Sequence, residues 1–168
     1  MDPDPEPLFL LSTSIDFLNV INAFVLIALL LSSALISGTE VAFFSLSQTD
    51  LNKLSNGGKG GDIIVKLLEK PRKLLATILI TNNFINILIV LLFASLAESL
   101  FNNFTYQLNL YFFIIPVRFL VEIILVTFLI LLFGEVLPKV YASRNALRFS
   151  IKMSKFIHLI NIFLTPFS

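Results

Sequence analysis

The sequence contains no cysteine, one histidine and few charged residues, and each shortage limits what the chain can do. Without cysteine it can form neither disulfide bonds nor thiolate metal sites. Charged residues make up 14% of the 168 residues and hydrophobic residues 57%, whereas a soluble domain is roughly a quarter charged. The apolar excess lies in long uncharged runs, which indicates membrane spans rather than a large soluble core.

Basic residues are absent before Lys53, and this absence bears on targeting and topology. Residues 1–7 are acidic and proline-rich and lack a basic n-region, which argues against a cleaved signal peptide. Six of the twelve Lys and Arg residues lie in 45–73, another group lies in 139–155, and 98–111 has none. Because Lys and Arg mark the cytoplasmic side of a membrane protein, the N-terminus is predicted outside and the C-terminus in the cytoplasm.

Three apolar runs are each long enough to cross a bilayer, which takes about 20 residues. Their ranges are 24–44, 74–96 and 116–141. Between the first two, short helices are predicted over 50–54 and 62–70, on either side of a Gly-rich turn at 55–61. The fold class is therefore an all-α membrane protein with three transmembrane helices and a cytosolic helix-turn-helix between the first two.

Residues 146–168 are predicted to form a basic amphipathic juxtamembrane helix. Arg148, Lys152 and Lys155 lie at i, i+4 and i+7, opposite a set of apolar positions. Such a helix is suited to lie along an anionic inner leaflet. A fourth span is the alternative, which the three cations disfavour. His158 has no second His or Cys nearby and is assigned no ligand role.

Residues 134–139 (GEVLPK) interrupt the third run with groups that are costly in lipid. Glu135 requires a partner, an ion or water at membrane depth. Pro138 has no N–H and clashes with the carbonyl of Gly134, which predicts a helix break whose carbonyl faces protein or a wet cavity. Broken helices of this kind bind cations in transporters. The alternative is a proline kink beside a structurally paired glutamate.

Polar residues of the other two runs fall at a similar depth, roughly 8–18 Å above the inner boundary at about 1.5 Å per residue. The residues at this depth are Ser37, Glu40, Asn82, Asn83, Asn86, Gly134 and Glu135. Their oxygen atoms suit the hard cations Mg²⁺, Ca²⁺ and Na⁺. Two carboxylates, Glu135 and Glu40, would balance a divalent ion, whereas one suits Na⁺ or weakly bound Mg²⁺. Close helix packing at Ser37, interhelical hydrogen bonds of the asparagines and a Glu40–Lys139 ion pair remain alternatives.

Three segments resemble the signatures of the CorC/CNNM transmembrane domain. They are residues 37–45 (SGTEVAFFS), 81–86 (TNNFIN) and 134–139 (GEVLPK). The first, with the acidic start, is similar to the gliding-associated GldE branch of bacterial CorC-like proteins. The resemblance implies a homodimer in the bacterial inner membrane that binds dehydrated Mg²⁺ between its helices and exports it against Na⁺. The parts expected are an extracytoplasmic segment (1–18), the three-span domain (19–145) and the juxtamembrane helix (146–168).

The resemblance also implies which residues bind the ion. The matching metal-site positions are Ser37, Asn82, Asn86, Gly134 and Glu135, with Glu40, Ser45 and Asn83 as further candidates and Pro138 as the helix-distorting proline. Thr81 stands where the family often has Gly, which would place a hydroxyl group and bulk beside the site. Family members usually continue into a cytosolic CBS-domain pair that binds nucleotide, so this chain is expected to be part of a longer protein and to hold no nucleotide site.

Two functions remain open. The first is cation transport; the second is a non-transporting scaffold that anchors a cytosolic domain or a motility partner. Substitutions in the site would stop ion movement under the first and change only assembly or stability under the second. The chain is not expected to be an enzyme, because no span contains a Ser–His, Asp–Asp or metal-ligating His arrangement.

Overall fold

The computed structural model describes residues 6–55, 59–100, 107–110 and 113–164, with side chains described for 17–55, 60–99 and 117–163. Its helices are α1 (Glu6–Phe44), α2 (Gln48–Ser55), α3 (Lys59–Leu68), α4 (Pro71–Leu100), α5 (Val117–Leu129), a π-helix (Ile130–Val136), α6 (Leu137–Arg144) and α7 (Ala146–Leu164). Strands β1 (Gln107–Leu110) and β2 (Phe113–Pro116) pair antiparallel.

Three helical stretches among the described residues are long and apolar enough to cross a membrane. They are Phe17–Phe44, Pro71–Ser99 and Val117–Arg144. In the most apolar part of each, 17%, 22% and 17% of the residues are buried in the protein. Many of the other apolar side chains are exposed, which is stable in lipid and would be an aggregation hazard in water. The predicted all-α, three-span architecture is confirmed.

The largest departure from the sequence prediction lies between the second and third spans. The loop predicted over 98–111 begins later, because α4 continues to Leu100, and it contains β1. Alternating polar and apolar residues in Gln107–Leu110 have the two-residue period of a strand, a signal that the prediction missed. Some residues of the predicted segments lie outside the described residues. They are 101–106 and 111–112 between the second and third spans, 1–5 at the N-terminus and 56–58 of the predicted turn.

Helix α2 begins with a reciprocal cap. The Ser47 Oγ accepts a hydrogen bond from the Asp50 N–H at 3.2 Å, and the Asp50 carboxylate accepts one from the Ser47 N–H at 3.2 Å. This is the capping-box arrangement, with Asp at the third helical position. The hydrogen bond from the Ser47 hydroxyl lowers the pKa of Asp50. The two short helices predicted between the first two spans are therefore present as α2 and α3.

Helix α7 packs against α3 and α4 and buries part of its apolar face in the protein. Met153 and Ile157 are buried in one cluster with Ile64 of α3 and Ile78 of α4. Phe163, by contrast, is 79% exposed. The apolar face is thus divided between the protein core and the surroundings, and this packing places α7 against α3 and the N-terminal part of α4.

Candidate metal centre

The third span is continuous but changes its winding around Gly134. The N–H of Leu137 bonds to the carbonyl of Leu132, five residues back, which is the pairing of a π-helix. Pro138 follows in the first turn of α6 and has no N–H to donate to the Gly134 carbonyl. The helix break predicted there therefore takes the form of a π-helix, a feature that is frequent at functional sites.

Polar side chains from all three spans meet at this π-helix. The Ser33 hydroxyl, fully buried on α1, lies 2.8 Å from Asn86 Oδ1 and 3.2 Å from Asn82 Oδ1 on α4. The Asn86 amide donates to the Glu135 Oε1 over 3.4 Å. Ser33, Asn82, Asn86 and Glu135 thus form one connected cluster near the middle of the spans, where transporters hold their ions.

Gly134 allows α1 to approach the π-helix closely at this point. A Cβ added to Gly134 would lie 3.0 Å from Ser33 Oγ, closer than an ordinary van der Waals contact. Any larger residue would therefore push against the hydroxyl that contacts both asparagines. The role of Gly134 in the cluster is to make room for Ser33.

Ser37 lies one helical turn from Ser33 and is 1% exposed, and its hydroxyl has no hydrogen-bond partner among the described residues. Neighbouring hydroxyls in the spans behave differently. Thr39 donates to the carbonyl four residues back at 2.6 Å, and Ser32 does so at 2.8 Å. A buried hydroxyl without a partner costs about 1–3 kcal/mol, so Ser37 is a group that a bound cation could satisfy.

The donor set of this cluster is made of hydroxyl, amide and carboxylate oxygens. Among the described residues there is no group of three or more His, Cys, Asp and Glu side chains arranged to hold a metal. The chemistry therefore suits a hard cation held by neutral oxygens and one carboxylate, Glu135. Mg²⁺ is commonly bound through one or two carboxylates, with other oxygens completing its shell.

The similarity of the sequence to known proteins shows the family to which the chain belongs. The family model for the cyclin M (CNNM) transmembrane N-terminal domain matches residues 24–168. The chain belongs to the CNNM family. It is 34% identical over 123 residues to a UPF0053 protein of Haemophilus influenzae, covering 73% of this chain and 26% of that protein. It is 30% identical over 112 residues to the UPF0053 inner membrane protein YfjD of Escherichia coli, covering 66% of this chain and 23% of that protein.

This CNNM chain thus spans about a quarter of the length of the curated relatives that it matches. The naming of one relative as an inner membrane protein and the three apolar helices agree that this is a membrane domain. The matched residues include every polar residue of the cluster described above. The resemblance of the three short segments to CNNM signatures is therefore confirmed at the level of the family.

The structure separates the further candidates from the cluster. Glu40 forms an ion pair with Lys139, with 3.1 Å between Oε2 and Nζ, so the pairing that the sequence left open is present. Ser45 is exposed just beyond the end of α1, where its N–H bonds to the Val41 carbonyl. Asn83 is exposed and has no recorded hydrogen bond to the cluster, although it lines an open groove that Asn86 also lines. Glu135 is the one carboxylate that contacts the cluster in the described part of the CNNM domain.

Sequence reasoning missed Ser33 and misplaced Thr81. Ser33 precedes the first signature by four residues, so it lies on the same helix face as Ser37; that spacing was the available signal. Thr81 was expected to add a hydroxyl group beside the ion site. Its hydroxyl instead donates to the Thr77 carbonyl at 2.8 Å, and the residue lines a groove between α4 and α7. The side chain at position 81 therefore points away from the cluster in this CNNM domain.

Proposed function

We propose that this chain is the membrane domain of a Mg²⁺ transporter, which exports the ion in exchange for Na⁺. The observation that carries the proposal is the meeting of Ser33, Asn86 and Glu135 from three different spans at a π-helix. The buried Ser37 hydroxyl without a partner adds a donor that a cation would satisfy. The substrate class follows from the donors, which are all oxygen atoms.

The cluster can accept and release an ion because its members satisfy one another when the ion is absent. The Ser33 hydroxyl hydrogen bonds to Asn86, and the Asn86 amide to Glu135. Rotation of the hydroxyl and of the amide groups can turn oxygen atoms towards a cation. With Glu40 held by Lys139, a single carboxylate gives weak binding, which suits a site that must release its ion.

The test of this proposal is ion movement across a membrane. The protein is reconstituted in vesicles that contain a Mg²⁺-sensitive dye, and a Mg²⁺ gradient is applied with and without an opposing Na⁺ gradient. Transport predicts protein-dependent Mg²⁺ movement that the Na⁺ gradient accelerates. The alternative scaffold function predicts no movement in either condition, and that result would overturn the proposal.

Ser37→Ala is expected to weaken Mg²⁺ binding about tenfold, because one ligand worth roughly 1–2 kcal/mol in a buried site is lost. Ser150→Ala is the matched control, since Ser150 is also fully buried and its hydroxyl also has no partner, but it lies on α7. Mg²⁺ titration of the melting temperature measures both variants. Equal binding by wild type and Ser37→Ala would contradict a role for Ser37 as a ligand.

We further propose a homodimer with its N-terminus outside and its C-terminus in the cytoplasm, based on the Lys and Arg distribution and on the family. Because the chain has no cysteine, single cysteines can be placed directly at two exposed residues, Asn52 and Glu98. A membrane-impermeant maleimide should label Glu98→Cys in intact spheroplasts and Asn52→Cys only after permeabilisation. Labelling of Asn52→Cys in intact spheroplasts, with Glu98→Cys labelled only after permeabilisation, would show the opposite orientation.

Light scattering of the detergent-solubilised protein gives its oligomeric mass, and a monomeric mass would refute the proposed dimer.

A further inference from the structure

A pocket of about 320 Å³ lies where α3, α4 and α7 meet, at the end of the second span. The polar side chains that line it are Lys66, Glu69, Lys70, Lys73, His158 and Asn161. Neither ion pair recorded among the described side chains involves these lysines. Three lysines and one glutamate therefore give the lining of the pocket a net positive charge.

The backbone adds to the positive potential of this pocket. Helix α4 begins at Pro71, and its first intrahelical bond runs from the Leu74 N–H to the Lys70 carbonyl at 3.0 Å. The positive end of a long helix dipole therefore lies beside Lys70 and Lys73. Such a helix start, combined with lysine side chains, favours a phosphate group.

A second, apolar groove of about 620 Å³ lies between the same two helices, α4 and α7. Its lining residues are Ile80, Thr81, Phe84, Leu159, Ile160 and Phe163. Phe84 is 61% exposed and Leu159 is 66% exposed. Both cavities are lined by residues of α4 and α7, and these helices are joined by a 3.1 Å hydrogen bond between Thr77 Oγ1 and Asn161 Oδ1.

We propose that these two cavities form one binding site for an anionic glycerophospholipid. The phosphate group occupies the lysine pocket, and an acyl chain lies in the groove between α4 and α7. From Lys73 to Ile80 and Phe84 is 7 and 11 residues along α4, or roughly 10–16 Å, the separation between the headgroup region and the hydrocarbon interior. Charge complementarity selects an anionic lipid, and the apolar groove distinguishes a lipid from a free phosphate ion.

The site gives α7 a defined lipid partner in addition to any general attraction to the leaflet. It joins the cytosolic-side helices α3 and α7 to the second span, which carries Asn82 and Asn86. None of its residues belongs to the cation cluster, so it can be present whether or not the chain transports Mg²⁺. Failure of one proposal therefore leaves the other testable.

The experiment titrates the detergent-solubilised protein with three probes and follows its melting temperature. The probes are long-chain phosphatidylglycerol, long-chain phosphatidylcholine and glycerol 3-phosphate, which has the anionic group without acyl chains. We expect phosphatidylglycerol to raise the melting temperature with saturation, because a ligand bound to the folded state stabilises it by mass action. We expect no shift with the other two probes at the same concentrations. An equal shift with phosphatidylcholine, or with glycerol 3-phosphate, would overturn the assignment.

Paired variants test whether the site is specific. Lys70→Gln with Lys73→Gln should weaken phosphatidylglycerol binding about thirtyfold, since each lysine near an anionic lipid contributes about fivefold. Lys152→Gln with Lys155→Gln removes the same charge from exposed positions of α7 and should change binding less than about threefold. Equal losses in the two pairs would show a diffuse charge effect and refute the pocket. If the first pair fails to fold, the three-probe comparison on the wild-type protein still decides.

Discussion

In the Glu135→Gln variant, Mg²⁺ should no longer raise the melting temperature of the protein. Glutamine keeps the size of the side chain and an oxygen atom that can accept from the Asn86 amide, which lies 3.4 Å from Glu135 Oε1. It removes the one negative charge that contacts the cluster. In the wild type, Mg²⁺ at a hundred times its dissociation constant should add about 2.7 kcal/mol, or a shift of roughly 5–11 °C for a domain of this size.

Glu122→Gln is the matched control for that experiment. It removes a carboxylate from the same span, but this carboxylate is paired with Arg118 one turn earlier and lies outside the cluster. Its melting temperature without Mg²⁺ should fall, because Arg118 loses its partner, while the Mg²⁺-dependent shift should remain. A full shift in Glu135→Gln would contradict the assignment of Glu135 as the charged ligand.

Gly61→Ala should destabilise the protein more than any other single-methyl change at the glycines described. A Cβ at Gly61 would lie 2.0 Å from the Leu54 carbonyl oxygen of α2, so the α2 and α3 backbones must separate. Leu54 and Ile64 are both buried in the core cluster that this separation would open. We expect a loss of about 3 kcal/mol, seen as a melting temperature lower by roughly 6–12 °C.

The adjacent glycine provides the control. A Cβ at Gly60 would meet nothing closer than Ile151 Cγ2 at 3.7 Å, an ordinary contact. Gly60→Ala should therefore be neutral or stabilise the protein by up to about 1 kcal/mol through helix propensity. If the two variants melt at the same temperature, the close approach of α2 to α3 at Gly61 is wrong.

The sequence was sufficient to predict the elements that depend only on residues close together along the chain. Long uncharged runs identify the three spans, and a spacing of four residues on one helix face brings Arg118 and Glu122 into an ion pair. Strand pairing across residues 107–116 depends on a contact between two short segments. Neither segment carries a strong signal alone, and this explains why a loop was predicted there.

The candidate site was predictable only in part, for a similar reason. Depth along each span located Asn82, Asn86 and Glu135, because rise per residue is fixed in a helix. Depth does not report the rotation of a helix about its axis, which decides which side chains face one another. That rotation brings Ser33 into the cluster and leaves Asn83 exposed. The π-helix likewise depends on packing around Gly134 as well as on Pro138.

In the proposed function, oxygen atoms from three spans bind one hard cation at the π-helix. The most direct test is a crystal structure of the protein grown with Mn²⁺ in place of Mg²⁺, because anomalous scattering locates Mn²⁺ without reference to the protein. We expect an anomalous peak about 2.0–2.3 Å from a Glu135 carboxylate oxygen, with Ser37 and asparagine oxygens turned towards it. A peak only elsewhere, with Ser33 still bonded to Asn86 and Asn86 to Glu135, would contradict it.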